Sequence, residues 1–308
     1  MNMLISIISA AITSSGAIMY ASIGEVISER SGVINLGLEG IMLMGAVTGY
    51  IAVVKTGSLL LGVLAALGVG ALLGLFYALV TITLRANQIV CGLAMVILGT
   101  GMSGFIGKDY AGIVSGISFS KIPLPLLSKI PVLGPALFNQ DILIYCLYIL
   151  VPLAMVFLYK TRPGLKLRAL GENPAALDVA GINVFLLRYV YVIIGSAIVS
   201  LGGAYVTLAY TPSWYDQITA GAGWIAAALV IFSSWNPIYA FLGAILFGSV
   251  SAIGLRLQLI GVNIPSFFIS MLPYICTVVV LIISTGSFRA KRPSAPAVLG
   301  KFYDREER

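Results

Sequence analysis

The sequence predicts an all-α, polytopic membrane helical bundle, and three observations carry that prediction. Of the 308 residues, 59% are hydrophobic and 9% are charged, whereas a soluble domain carries about a quarter charged residues. The apolar residues come in runs long enough to cross a bilayer as helices. The charges, 18 basic and 11 acidic, gather in short segments between those runs, so most of the surface must face lipid. The chain reads as one transmembrane domain over residues 1–308, multi-pass in the cell membrane.

About nine apolar segments follow one another: 3–24, 31–54, 58–84, 88–107, 141–159, 189–210, 219–234, 236–258 and 262–285. The first lacks the basic n-region and small-residue cleavage site of a secretory signal and reads as retained. The seventh is the shortest. Together with the Gly-rich second, it is expected to be a broken or half-spanning helix whose backbone is satisfied inside the protein.

Orientation follows from Lys and Arg. The segment 160–188 holds Lys160, Arg162, Lys166, Arg168 and Arg188, and the tail 286–308 holds Arg289, Lys291, Arg292, Lys301, Arg305 and Arg308. Both are expected to be cytoplasmic, and the four segments between them make the two assignments agree. Arg30 and Arg85 then fall inside. Lys55, Lys108, Lys121, Lys129 and Arg256 fall outside, as does the N-terminus. The outside loop 108–140 carries Pro123, Pro125, Pro131 and Pro135, which favour an extended or turning surface segment. It serves either as a tether or as a landing surface for an external partner.

An internal repeat emerges when segments are laid side by side. INLGLEGIMLMGA (34–46) matches ITAGAGWIAAALV (218–230) at an offset of 184 positions, pairing Ile34 with Ile218, Gly37 with Gly221 and Ile41 with Ile225. Each is followed by a Gly-rich span and a polar break, RANQIV (85–90) and GVNIPS (261–266), which align Asn87 with Asn263. The charge topology puts the paired breaks on opposite sides of the membrane. That is an inverted repeat of 4+1+4 segments, 2–107 against 189–285, an arrangement that places a transport site between two halves near the midplane.

Composition also excludes. There is no His, which removes imidazole bases and most zinc constellations. Cys91, Cys146 and Cys276 lie inside apolar runs and read as packing residues. No catalytic residue, metal site or cofactor is expected. The basic residues flank spans rather than forming a soluble face, so nucleic acid is not a partner; membrane lipid is.

Between the fifth and sixth segments stands a polar island, GENPAALDVAGINV (171–184). Asn173 is a good N-cap, Pro174 suits the first helical position, and Gly181 stands where a C′ glycine ends a helix. The spacing predicts a helix of about two turns in which Leu177 and Ala180 share a face and Asp178 points elsewhere. A helix this short needs a flanking chain or a partner to hold it. Membrane-surface helices carry Lys or Arg on one face and bulky apolar residues on the other. This one shows alanines, which suit seating in a protein cleft.

The run RALGENPAALDVAGINV, with its basic approach, resembles the cytoplasmic coupling segment of ABC-importer permeases of the branched-chain amino-acid, ribose and nucleoside group. The opening ASIGEVISERSGVINLGLEGIMLMGA is similar to the nucleoside and simple-sugar branch. The two motifs cover about 45 residues, and the hydropathy pattern extends the match along the chain. The resemblance implies a bacterial plasma-membrane permease without an ATP site of its own, and no GK[ST] motif occurs. It implies a cytoplasmic ABC ATPase, a second permease subunit forming a heterodimer, and an extracytoplasmic substrate-binding lipoprotein. The ATPase contact it implies is Asn173, Pro174, Ala175, Ala176, Leu177, Ala180 and Gly181.

Six residues are candidates for the solute pathway: Asn35, Glu39, Asn87, Thr219, Trp224 and Asn263. Glu39 is an ionisable group inside an apolar run, which is expensive unless it faces a cavity or a partner. It either lines the path or acts as a structural carboxylate against Arg30 or the backbone of a helix break. Asn35 lies four residues earlier on the same face, and their repeat mates are Gly223 and Thr219. Asn87 and Asn263 are either helix caps or contacts. Trp224 either stacks on a nucleobase or packs. Trp214, Tyr215 and Asp216 resemble an interfacial belt as much as a binding-protein contact. A self-sufficient proton-coupled transporter is the competing class, since inverted repeats and an intramembrane Glu39 suit it as well. ABC permeases for ribose or branched-chain amino acids are the alternatives within the family.

Overall fold

The structure is a computed structural model describing residues 2–131, 133–259, 265–287 and 295–304. Its apolar helices, among the described residues, are α1 (Asn2–Arg30), α2 (Leu38–Thr56), α3 (Leu59–Ala78), α4 (Gln88–Gly107), α6 (Ile142–Lys160), α9 (Val184–Tyr205), α10 (Ala222–Phe232), α11 (Pro237–Leu259) and α12 (Ser266–Ser287). The short α5 (Leu133–Leu137) and the polar α7 (Arg162–Glu172) and α8 (Pro174–Val179) lie in the connections. Helices α3 and α9 run on through π-helical turns, Leu79–Thr83 and Val206–Tyr210. Among the described residues the sheet content is one ribbon in the Pro-rich loop, β1 (Ile122–Pro123) antiparallel to β2 (Asn139–Gln140).

Starts are set by local chemistry. Asn87 Oδ1 accepts from the amides of Ile89 and Val90 at 3.0 and 3.1 Å, and Asp141 Oδ1 accepts from Leu143 and Ile144 at the head of α6. Each satisfies orphan donors of a first turn. Gly57, at φ +68°, closes α2 by donating to the Val53 carbonyl at 2.8 Å.

Among the described residues, seven helices, α1, α2, α3, α4, α6, α9 and α11, are long and apolar enough to span. The 11 residues of α10 reach about 16 Å at 1.5 Å per residue, about half the hydrocarbon core. The second apolar run becomes helical only at Leu38, after turns and irregular backbone over 31–37. Helix α1 runs six residues past its expected end at 24, because its polar end finds partners inside the bundle. Asn35 N–H donates to Glu25 Oε1 at 2.9 Å, the Trp235 indole donates to Glu29 Oε2, and Arg30 donates to the Ser234 and Trp235 carbonyls at 3.3 Å. Unpaired, such groups would not be buried.

The centre of the bundle is α1 packed on α9. Helix α1 also packs against α10 and α11, and α9 against α2 and α3. Close approach depends on glycine. A Cβ at Gly203 would lie 1.8 Å from the Met42 carbonyl oxygen, and one at Gly99 would lie 2.5 Å from Gly40 Cα. Helices α2, α3, α4 and α9 therefore meet nearly backbone to backbone. Large apolar side chains such as Leu72, Ile97, Phe105, Ile149 and Val278 point outward, as lipid-facing surfaces require.

Candidate functional site

Glu39 sits in the first turn of α2 and reaches across to the other half of the chain. Its Oε1 accepts from the Thr219 hydroxyl at 2.5 Å and from Gly221 N–H at 3.0 Å, and its Oε2 accepts from Gly223 N–H at 2.7 Å. The carboxylate thus receives orphan amides at the start of the half-helix α10, the place where a helix end favours an acceptor. The contact is tight because a Cβ at Gly223 would lie 2.5 Å from the Glu39 amide nitrogen. Left-handed backbone at Gln217, Ala220 and Gly221 (φ +57°, +48° and +81°) turns the 211–221 connection so that those amides converge. Arg30 is engaged elsewhere, so the structural role of Glu39 lies at the helix break of the opposite half.

Thr219 also belongs to a cavity of about 450 Å³ between α1, the end of α9, the 211–221 connection and helices α10 to α12. Tyrosines dominate its wall. Tyr210, Tyr215 and Tyr274 are 40%, 50% and 45% exposed, while Tyr205 is buried. Ser14 and Ser251 add hydroxyls, and none of the described lining residues is charged. Ser14 lies 16 residues from Arg30 on α1, about 24 Å along the helix, so the cavity is remote from the end that gathers the basic residues.

That basic end is tied together by the tail. Val298 N–H donates to the Gly171 carbonyl at 3.0 Å, and Gly300 N–H to the Gly32 carbonyl at 3.1 Å. Arg85 pairs with Asp304 at 2.6 Å, Arg188 donates to the Lys301 carbonyl at 3.4 Å, and the Tyr303 hydroxyl donates to Asp178 Oδ2 at 3.0 Å. The strap 295–304 thereby touches the α1–α2 and α3–α4 connections, α7, α8 and α9.

In the polar island, Asn173 Oδ1 accepts from Ala176 N–H at 3.1 Å. Gly181 sits at φ +78°, and Ile182 N–H closes back on the Leu177 carbonyl at 3.0 Å, a Schellman-type end. Leu177 and Pro174 are buried against the permease, whereas Ala175, Ala176, Val179, Ala180 and Gly181 are exposed. Leu177 and Ala180 therefore do not share a face. Leu177 is the one large apolar side chain between Pro174 and Asp178 and turns inward, while Ala180 already lies at the C-cap.

The other candidates fall apart from the cavity. Asn35 is buried, and its Oδ1 accepts from Gly37 N–H at 2.9 Å, which shapes the turn before α2. Asn87 is an exposed cap, Trp224 is 39% exposed and not among the described lining residues, and Asn263 lies outside the described residues. Trp214 is fully buried against Gly107 rather than at an interface. Sequence reasoning passed over α7, the strap, Glu25 and Glu29, and the tyrosine wall. The run YVTLAYTPSWY (205–215), with an aromatic at every fifth position, was the available signal for the last.

Comparison with known proteins agrees with this architecture. The family model described as "Branched-chain amino acid transport system / permease component" matches residues 7–283. The chain is 36% identical to the nucleoside ABC transporter permease protein NupC of Lactococcus lactis, over 91% of this chain and 92% of that one. It is 36% identical to the guanosine ABC transporter permease protein NupQ of Bacillus subtilis, over 96% and 97%. It is 34% identical to the putative glucose ABC transporter permease protein TsgC13 of Haloferax volcanii, over 97% and 98%. No solved structure matches it. A multi-pass helical bundle of this plan, matched along nearly its whole length, belongs to the ABC-transporter permease family of the branched-chain amino-acid type.

Proposed function

We propose that the chain is the membrane-spanning subunit of an ABC importer that passes a nucleoside or related sugar-containing solute inward. A separate cytoplasmic ATPase seats on α7 and α8 and drives it, a second permease subunit completes the pathway as a heterodimer, and an external binding lipoprotein delivers the solute. The two inverted halves, 2–107 and 189–285, move against each other.

The observation that carries this reading is the construction of α8. Its outer face is smooth, with Ala175, Ala176 and Ala180 exposed beside Val179, while Leu177 and the Tyr303–Asp178 bond anchor it from behind. A small helix that is rigidly backed and has an unobstructed front transmits a push. The relatives named for nucleoside and guanosine transport support the choice of solute.

Replacing Ala176 by Arg puts a bulky charged side chain on the seating face, and overpacked contacts do not close. The permease is expected at near-normal level and paired with its sister subunit, but without retained ATPase or solute-stimulated hydrolysis. Undiminished co-purification of the ATPase with normal uptake would remove the assignment. Proton-driven uptake by the permease alone in liposomes would establish the secondary-transporter mechanism instead.

A further inference from the structure

The cavity beside α10 has a hydrogen-bonding polarity that follows from where its hydroxyl protons go. Thr219 donates to Glu39, Tyr274 to the Ala220 carbonyl at 3.3 Å, and Ser251 to the Phe247 carbonyl at 3.2 Å. Ser14 donates to the Ala10 carbonyl and Tyr205 to the Thr13 carbonyl at 2.7 Å. Five wall hydroxyls thus spend their protons on the protein. From these five, what remains toward the cavity is oxygen lone pairs, which accept, while the exposed Tyr210 and Tyr215 hydroxyls can donate as well as accept. No charged side chain is present among the described lining residues to receive a carboxylate or an ammonium group.

We infer that this cavity is a solute-binding station inside the permease, built for a neutral, hydroxyl-bearing, ring-containing solute of the nucleoside class and closed to amino-acid zwitterions. The inference rests on the import reading above and adds the site and its selectivity. Sugar hydroxyls and an exocyclic amine supply donors for those five acceptors. The exposed rings of Tyr210, Tyr215 and Tyr274 offer faces for a base, and base–aromatic stacking is tolerant of which base it is. The volume falls within the range of about 300–1,000 Å³ typical of small-molecule sites. A zwitterionic amino acid would have to bury both its carboxylate and its ammonium group without a charged partner among the described lining residues, which the surroundings oppose. Glu39 takes part indirectly, because the carboxylate that fixes the start of α10 also turns the Thr219 oxygen into an acceptor.

The test is equilibrium binding of radiolabelled adenosine to the assembled transporter in nanodiscs without its external binding protein, with D-glucose and L-leucine as competitors. Saturable adenosine binding is expected, with D-glucose competing weakly and L-leucine not at all. Tyr215→Ala and Tyr274→Ala should weaken it about five- to hundredfold, the range for a lost stacking face. Should the tyrosine variants fail to assemble, Ser251→Ala decides. Its hydroxyl bonds within its own helix, so alanine leaves the helix intact and removes one acceptor, weakening adenosine about three- to tenfold and the free base adenine less. Absence of saturable binding, competition by L-leucine equal to that of adenosine, or an unchanged Kd in Ser251→Ala would overturn the station. If the same preparation still imports solute with ATP, the permease reading survives that result; import without ATP dependence would defeat the reading itself.

Discussion

Glu39→Gln separates a structural latch from a pathway residue. The carboxylate accepts three hydrogen bonds, two on Oε1 and one on Oε2. Glutamine retains one oxygen. Placed where Oε1 lies, that oxygen keeps Thr219 and Gly221, while the amide nitrogen opposes the Gly223 N–H, donor against donor. One bond to an acidic group is lost and a buried amide is left unmet, a cost of about 2–3 kcal/mol. At the sensitivity of ordinary domains that lowers the midpoint of thermal unfolding by about 5–10 °C. Glu39 is not among the lining residues of the cavity, so the loss falls on resting and moving states alike and leaves the barrier nearly unchanged. Uptake at permissive temperature should fall less than tenfold, which corresponds to under about 1.4 kcal/mol in the barrier. The assay pairs size-exclusion profiles after graded heating with initial rates in proteoliposomes. Abolished uptake with an unshifted thermal profile would refute the reasoning and place the carboxylate on the solute path.

Two further outcomes follow from the packing and the charge distribution. In a background lacking Cys91, Cys146 and Cys276, a cysteine at Ser120 should be labelled by an impermeant maleimide from outside, and one at Ala175 only from inside. Labelling of both from one face would break the topology. Gly203→Val sets a side chain against the Met42 carbonyl oxygen, where even a Cβ would stand at 1.8 Å, so folded permease should be nearly lost from membranes at 37 °C. Wild-type yield in detergent would show that α2 and α9 have room between them.

What could be read from the sequence was what local chemistry decides. Apolar runs gave the spans, and the shortness of the seventh run foretold a partial helix because length alone limits reach. Asn173, Pro174 and Gly181 announced a capped helix because a cap is a property of neighbours in sequence. The opposite-half partner of Glu39 was half legible. The offset of 184 aligns it with Gly223, the residue whose amide it receives, yet alignment of repeats does not by itself say that mates touch. Leu177 was misjudged because helical spacing fixes which residues align but not which side meets the protein. The strap was invisible for a different reason: Gly300, Tyr303 and Asp304 find partners more than a hundred residues away, and no pattern in a short tail encodes a distant dock.

The glycine seams between α2, α4 and α9 have a mechanical meaning. Where one backbone rests on another there are no rotamers to rearrange and no side-chain layer to shear, so such a joint holds or opens with little between. Helices α2, α3, α4 and α9 therefore form a chassis. The tyrosine-walled side, with its half-length helix, holds the unfilled space. On the import reading proposed above, a thrust arriving through the anchored polar helices would be taken up where the wall already has a gap.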